Sequence, residues 1–249
     1  MAKTLLSISR LVKRFGGVSA TDSLSLDVAA GETHALIGPN GAGKSTVIGQ
    51  LQGELLPDEG KILFDDRDIT REPAHRRASL GIARSFQITS IFPRFTVLAN
   101  VVMAVQCRSG LSFRFFRPAM REAQLLEPAW EALRVLGLEH RAAVEAENLS
   151  HGERRQLELA MALATRPRLL LLDEPMAGMG RADGARMTRL LSELKNSYTI
   201  LLVEHDMNAV FTLADRVSVL VAGKAIATGT PDEIRSNPLV KSAYLGRVS

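Results

Sequence analysis

The stretch GPNGAGKST at positions 38–46 constrains this chain more than any other. It follows the apolar, strand-like THALI and runs directly into KSTVIGQLQ, so a glycine-rich turn joins a buried strand to a helix start. Gly38, Gly41 and Gly43 allow the backbone to curl with its N–H groups pointing inward. Such a turn cradles phosphate: Lys44 reaches the β- and γ-phosphates of a nucleotide and Ser45 ligates Mg²⁺. The whole run Gly38, Pro39, Asn40, Gly41, Ala42, Gly43, Lys44, Ser45 and Thr46 is the expected nucleotide-binding segment.

LLLLDEP at 169–175 is an apolar strand ending in two acids and a proline. By itself it reads equally as a core strand with a solvated turn. Paired with a phosphate loop, carboxylates at a strand's carboxyl end stand where ligands of open parallel sheets bind. Asp173 is then placed to orient Mg²⁺ through its water shell, and Glu174 to polarise an attacking water as general base. His205, after the strand-like TILLVE, is alone a hydrogen-bonded structural residue; on a strand beside Glu174 its ring would reach the γ-phosphate. His34, His75, His140, His151 and His205 show no metal-ligand spacing with a second His or Cys.

A third segment, LSHGE at 149–153, opens a helical pattern in which Leu157, Met161 and Ala164 recur at one face. Ser150 is a good N-cap and Glu153 completes a capping box. His151 and Gly152 have no purpose in an ordinary first turn, whereas free N–H groups at a helix start attract an anion such as phosphate.

Composition sets the outer limits. A chain of 249 residues with 46% hydrophobic and 23% charged residues builds one domain or a closely joined pair, and no apolar run approaches membrane-spanning length. The opening MAKTLLSISRLVKR alternates like a strand and points away from export. The single cysteine, Cys107, excludes an internal disulfide and fits a reducing compartment. A net charge of +4 suits an anionic ligand, an anionic membrane surface or nucleic acid without choosing among them.

Along the chain, strands are expected at LLSISRL, SLSLDV, THALIG and KILF, with DDRD as a turn. The region from Phe95 to about Leu138 is mainly helical, interrupted by RSGLSFRFFRP. Buried strands at RLLLLD, TILLVE and RVSVLVA then alternate with helices near 182–195 and 206–213, a rhythm that implies a parallel sheet. A turn at Gly223 precedes two short helices, TPDEIRSN and PLVKSAYLG.

Taken together, GPNGAGKST, the glutamine of SFQ (Gln87), LSHGE, LLLLDEP and VEHD resemble the ATP-binding cassette family over almost the whole chain. The resemblance implies an α/β fold: a P-loop NTPase core with a mainly parallel sheet, an N-terminal antiparallel β subdomain and an inserted α-helical subdomain. It implies one cassette over residues 1–249, with the helical subdomain at 95–165 and a tail of short helices at 223–249. ATP and Mg²⁺ are the implied cofactors. Phe15 in KRFGG matches the aromatic that stacks on adenine, with a core role as its competitor; Gln87 matches the residue that senses Mg²⁺ and the attacking water. Ser150 and Gly152 match positions that hold the γ-phosphate of a partner subunit's nucleotide, so a productive site needs a second cassette, in a homo- or heterodimer. The stretch beginning FPRFTVLANV matches the surface that receives a coupling helix from a membrane subunit.

Two positions depart from the pattern: His151 replaces a glycine, and Gly180 stands where most relatives carry Asp or Asn. Within the family, RFGGVSA, SFQ, RSGLSFRFFRP, EPMAG and TPDEIRSNPLVKSAYLG are most similar to ATP-binding subunits of branched-chain amino-acid importers. This implies two permease subunits, an indirectly coupled solute-binding protein and a peripheral place on the cytoplasmic face of the inner membrane. Cassettes that import urea, amides or aromatic acids, or that export lipopolysaccharide, share much of the pattern. Arg108, Arg114, Arg117 and Arg121 interleaved with Phe113, Phe115 and Phe116 also resemble a nucleic-acid stacking groove, but a loop near the anionic leaflet needs the same residues, and no nucleic-acid partner is expected. A stand-alone switch or small kinase leaves LSHGE unexplained.

Overall fold

The computed structural model describes residues 3–85, 91–109 and 122–242. Its first sheet is antiparallel, with strands β1 (Thr4–Phe15), β2 (Val18–Ala29), β4 (Glu59–Phe64) and β5 (Arg67–Asp68) in the order β2-β1-β4-β5. Alternate residues Leu24, Leu26 and Val28 of β2 point into the core, the period-2 pattern of a half-covered sheet. Asp65 and Asp66 at the β4–β5 turn both adopt positive φ, 51° and 64°, which suits a tight hairpin and a residue type that tolerates it.

The second sheet holds β3 (Thr33–Ile37), β6 (Ile82–Ser85), β7 (Leu169–Asp173), β8 (Thr199–Val203), β9 (Arg216–Val221) and β10 (Lys224–Gly229), in the order β10-β9-β3-β8-β7-β6. β3, β6, β7, β8 and β9 run parallel, and β10 closes one edge antiparallel to β9. Every residue of β3, β7 and β8 is buried, because both faces are covered. The run LLLLD divides its leucines between the two faces. Leu169 and Leu171 pack with β1, β2 and the helix α1 (Lys44–Gln52), while Leu170 and Leu172 pack with α3 (Val97–Ser109), α4 (Ala123–Val135), α5 (His151–Ala164) and α6 (Arg181–Leu194). The helices α3, α4 and α5 therefore share one continuous core with the sheet.

The short helix α2 (Ala74–Leu80) leads into β6 and α7 (Met207–Leu213) follows β8. The tail differs from the expected succession of turn and helices: β10 intervenes before α8 (Pro231–Ser236) and α9 (Pro238–Val240). Thr230 caps α8 in a capping box with Glu233, and Asn237 caps α9.

Candidate nucleotide-binding site

Three strand ends converge on one edge of the parallel sheet. β3 ends at Ile37 and feeds the glycine loop, β7 ends at Asp173, and β8 ends at Val203 beside it, since Asp173 and Val203 are register partners. This is the edge at which open parallel sheets bind ligands.

The loop is built so that only glycine fits at its two ends. A Cβ on Gly38 would overlap the Leu220 carbonyl oxygen, and one on Gly43, at φ 105°, would overlap the carbonyl of Ala20. Gly223 N–H donates to the Ala42 carbonyl at 2.9 Å and accepts, through its own carbonyl, from Asp22 N–H at 2.9 Å, pinning the loop to the β9–β10 turn and to β2. Gly43 caps α1 without any side-chain acceptor, which leaves the helix start open to an anion. Lys44 is only 6% exposed; its Nζ donates to the carbonyls of Gly38 at 2.8 Å and Pro39 at 3.1 Å. Burial lowers the Lys44 ammonium from its ordinary range, opposed by the nearby carboxylates of Glu174 and Asp173.

Asp173 is buried, and its Oδ2 accepts from Arg84 Nη2 at 3.0 Å. Arg84, on β6, also donates to Gln52 Oε1 at 2.6 Å and Glu54 Oε2 at 3.2 Å. Burial raises the Asp173 carboxyl despite the guanidinium beside it. Asp173 Oδ1 is buried and has no hydrogen-bond partner among the described residues, so one oxygen stays available for a ligand. Glu174 turns off the strand in a left-handed conformation, φ 49°, its N–H donating to the Val203 carbonyl at 2.9 Å. A non-glycine residue in that region marks strain held by its surroundings.

His205 follows β8 with its side chain 61% exposed. The fully buried Glu204 sets its position: Oε2 accepts from the N–H of His205 at 2.9 Å and of Asp206 at 3.4 Å, while Oε1 accepts from Met176 N–H at 3.1 Å. Phe15, at the end of β1, is 50% exposed with Lys13 Nζ 5.6 Å from its ring centroid, so it is not a core residue. Gln87, Phe113, Arg114, Phe115, Phe116, Arg117 and Arg121 lie outside the described residues.

Ser150 forms the expected capping box: its Oγ accepts from Glu153 N–H at 3.2 Å, and Glu153 Oε2 accepts from Ser150 N–H at 2.8 Å. Leu157, Met161 and Ala164 of α5 are buried as their spacing predicts. Gly152 is buried against Asp183, whose Cγ a Cβ would meet at 3.1 Å. Among the described residues, no hydrogen bond or ion pair joins Ser150 or Gly152 to the glycine loop.

Three residues of the site carried no assigned role in the sequence. Glu204 sits inside the quoted VEHD and Arg84 immediately before SFQ, but only their tertiary partners reveal them. Arg77, 1% exposed, spans the end of α1: its guanidinium donates to the carbonyls of Gln50 at 2.5 Å, Leu51 at 3.0 Å, Thr70 at 3.0 Å and Glu72 at 2.8 Å.

Residues 21–177 match the ABC transporter family, and residues 226–248 match a segment described as branched-chain amino acid ATP-binding cassette transporter. The chain is 40% identical, over 99% of both chains, to the high-affinity branched-chain amino acid transport ATP-binding protein LivG of Salmonella typhimurium. It is 37% identical to BraF of Pseudomonas aeruginosa, of the same description, over 99% of both chains. It is 34% identical to the lipopolysaccharide export system ATP-binding protein LptB of Haemophilus influenzae over 98% of both. Its fold superposes on the ADP conformation of MJ1267, an ATP-binding cassette of an ABC transporter, with a TM-score of 0.88 and 32% identity, covering 99% of this chain and all of that one.

Proposed function

This chain belongs to the ABC transporter family as an ATP-hydrolysing subunit that powers an amino-acid importer, and we propose that it cleaves ATP through Lys44, Glu174 and His205. The observation that carries this reading is the convergence of the glycine loop, Asp173–Glu174 and Glu204–His205 at the ends of three adjacent parallel strands. The loop N–H groups of residues 38–46 and Lys44 bind the β- and γ-phosphates. Glu174, which follows β7 in a left-handed conformation, takes the proton of the attacking water, and His205 orients that water and the γ-phosphate. Phe15 stacks on the adenine.

Ser45, Gln87 and Asp173 are the residues that would hold Mg²⁺, and the unpartnered Asp173 Oδ1 supports that fit. When bound, the ion neutralises charge on the β- and γ-phosphates.

One chain carries one glycine loop and one LSHGE turn, so Ser150 and Gly152 face the γ-phosphate held by a second cassette, identical or different. The cassette spans residues 1–249, with its helical subdomain at 95–165 and its tail at 223–249. Near the start of that subdomain Phe92 and Phe95 stack at 5.6 Å and are each about half exposed, which suits an apolar contact from a permease helix. Among the described residues no helix is long and apolar enough to cross a membrane. The likeness to branched-chain amino acid transport ATP-binding proteins supports a place on the cytoplasmic face of the inner membrane, docked on two permease subunits, with cargo delivered by a solute-binding protein. Branched-chain amino acids are the favoured cargo, supported by the tail match at 226–248 in addition to the relatives named above.

The test is to tag the chain, extract it gently from native membranes and identify what accompanies it. Two multi-spanning proteins and a second cassette are expected. Recovery with nucleic acid or ribosomes instead overturns the transport reading.

A further inference from the structure

His151 stands in the LSHGE turn where the family pattern has glycine, and its ring has a defined seat. Nε2 lies 3.3 Å from the carbonyl oxygen of Ala177, a bond that requires the proton on Nε2. Gly178, at φ 74°, makes room for it: a Cβ there would sit 3.3 Å from the same ring nitrogen. One residue along, the missing side chain of Gly152 admits Asp183. The start of α5 is thus seated on the segment that follows Glu174.

Glu204 holds the other side of that segment. Its Oε1 accepts from Met176 N–H at 3.1 Å, and its Oε2 from His205 N–H at 2.9 Å. Two consecutive residues, Met176 and Ala177, are therefore gripped by Glu204 and by His151. Within the segment, Ala177 N–H donates to the Glu174 carbonyl at 3.0 Å, so displacement of Ala177 reaches Glu174 directly. Further along, Gly180 offers no side chain to form such a link.

We propose that His151 is a positioning residue that ties the helix start facing a partner's nucleotide to the segment that carries Glu174, so that occupancy of one ATP site is felt by the general base of the other. The inference rests on the two-chain site proposed above. Ser150 and Gly152 engage the partner's γ-phosphate, whereas Glu174 serves the nucleotide held by its own Lys44. A shift of the first turn of α5 moves the His151 ring, the Ala177 carbonyl follows, and the bond from Ala177 to Glu174 carries the shift to the carboxylate. Two discrete arrangements of one short segment suffice for this coupling.

The experiment compares the full chain with His151→Gly and His151→Gln in ATP hydrolysis, binding of a non-hydrolysable ATP analogue, and sedimentation of each in a Glu174→Gln background with ATP. His151→Gly keeps the analogue affinity within about twofold and still forms the ATP-bound dimer, but its kcat falls on the order of tenfold and its Hill coefficient drops from about 2 toward 1. His151→Gln, whose amide donates with similar reach, recovers most of both. A parent Hill coefficient of 1, an unchanged coefficient in His151→Gly, or a Gln variant as impaired as Gly overturns the role of His151. Absence of a dimer in the Glu174→Gln parent overturns the two-chain site itself, a separate result.

Discussion

Arg84 Nη2 lies 3.0 Å from Asp173 Oδ2, and this pair joins the edge strand β6 to the end of β7. The side chains are only 11% and 1% exposed, so each is the other's principal compensation for lost hydration. Replacing Arg84 by Met leaves a buried carboxylate without its guanidinium and also frees Gln52 and Glu54. Urea unfolding is expected to show a loss of roughly 3 kcal/mol. Arg84→Lys recovers only part of this, because an ammonium cannot reproduce a fork that reaches Asp173, Gln52 and Glu54 together. Equal stability of the Met variant and the parent would show the pair to be dispensable.

Glu204 is expected to act on turnover more than on binding. Its two oxygens hold Met176 and His205 by their backbone N–H groups, and among the described residues no bond from it reaches the glycine loop. In Glu204→Gln a single amide oxygen serves where two carboxylate oxygens did, and its NH₂ group opposes one of the N–H donors. We expect kcat to fall about 10-fold to 100-fold with ATP affinity within a factor of about 3, as for a group that orients Glu174 and His205 for the roles proposed for them. Equal losses in affinity and turnover would place Glu204 in general folding instead.

The parts of this molecule legible in its sequence are those set by neighbours a few residues away. The glycine spacing of residues 38–46, the Ser150–Glu153 capping box and the apolar run of β7 each specify a local conformation, and each forms. β6 was not legible, because IARS is short and its arginine looks like surface polarity until Asp173, 89 residues away, supplies a partner. Strand β10 escaped for another reason: KAIATG is a part-exposed edge without an apolar signature. Arg77 and Glu204 were likewise invisible as functional groups, since their meaning lies in carbonyls and amides brought to them by the tertiary fold.

Arg77 gives the clearest stability prediction outside the catalytic group. Its guanidinium satisfies four carbonyl oxygens, two of them in the last turn of α1, where a helix leaves acceptors without intrahelical donors. Burial lowers its pKa from the ordinary value, with Glu72 opposing, but an arginine so placed keeps its charge. Arg77→Met preserves bulk and removes every donor, and is expected to cost roughly 3 kcal/mol or more from the acceptors left buried. Thermal unfolding followed by circular dichroism reads this directly. A shift in Tm of under about 2 °C would mean that water replaces the guanidinium.

The capping box of α5 should make the LSHGE turn sensitive to acid. Burial pushes the Glu153 carboxyl up, but the Ser150 amide, the Ser150 hydroxyl and Arg141 outweigh it and hold the group below its ordinary 4.5. A carboxyl depressed in the folded state contributes stability that is fully present above its unfolded value and is lost as pH falls through the folded one. The first turn of α5 is therefore expected to hold its protection unchanged from neutral pH down to about 4.5 and to lose it below that value. Hydrogen exchange of the Ser150, Glu153 and Arg154 amides, compared between the parent and Glu153→Gln, checks this. The Gln variant keeps an acceptor for Ser150 N–H without a titrating charge, so its exchange profile should be flat across the window in which the parent loosens. A parent profile as flat as that of Gln would show that the box holds the turn without the ionised carboxylate.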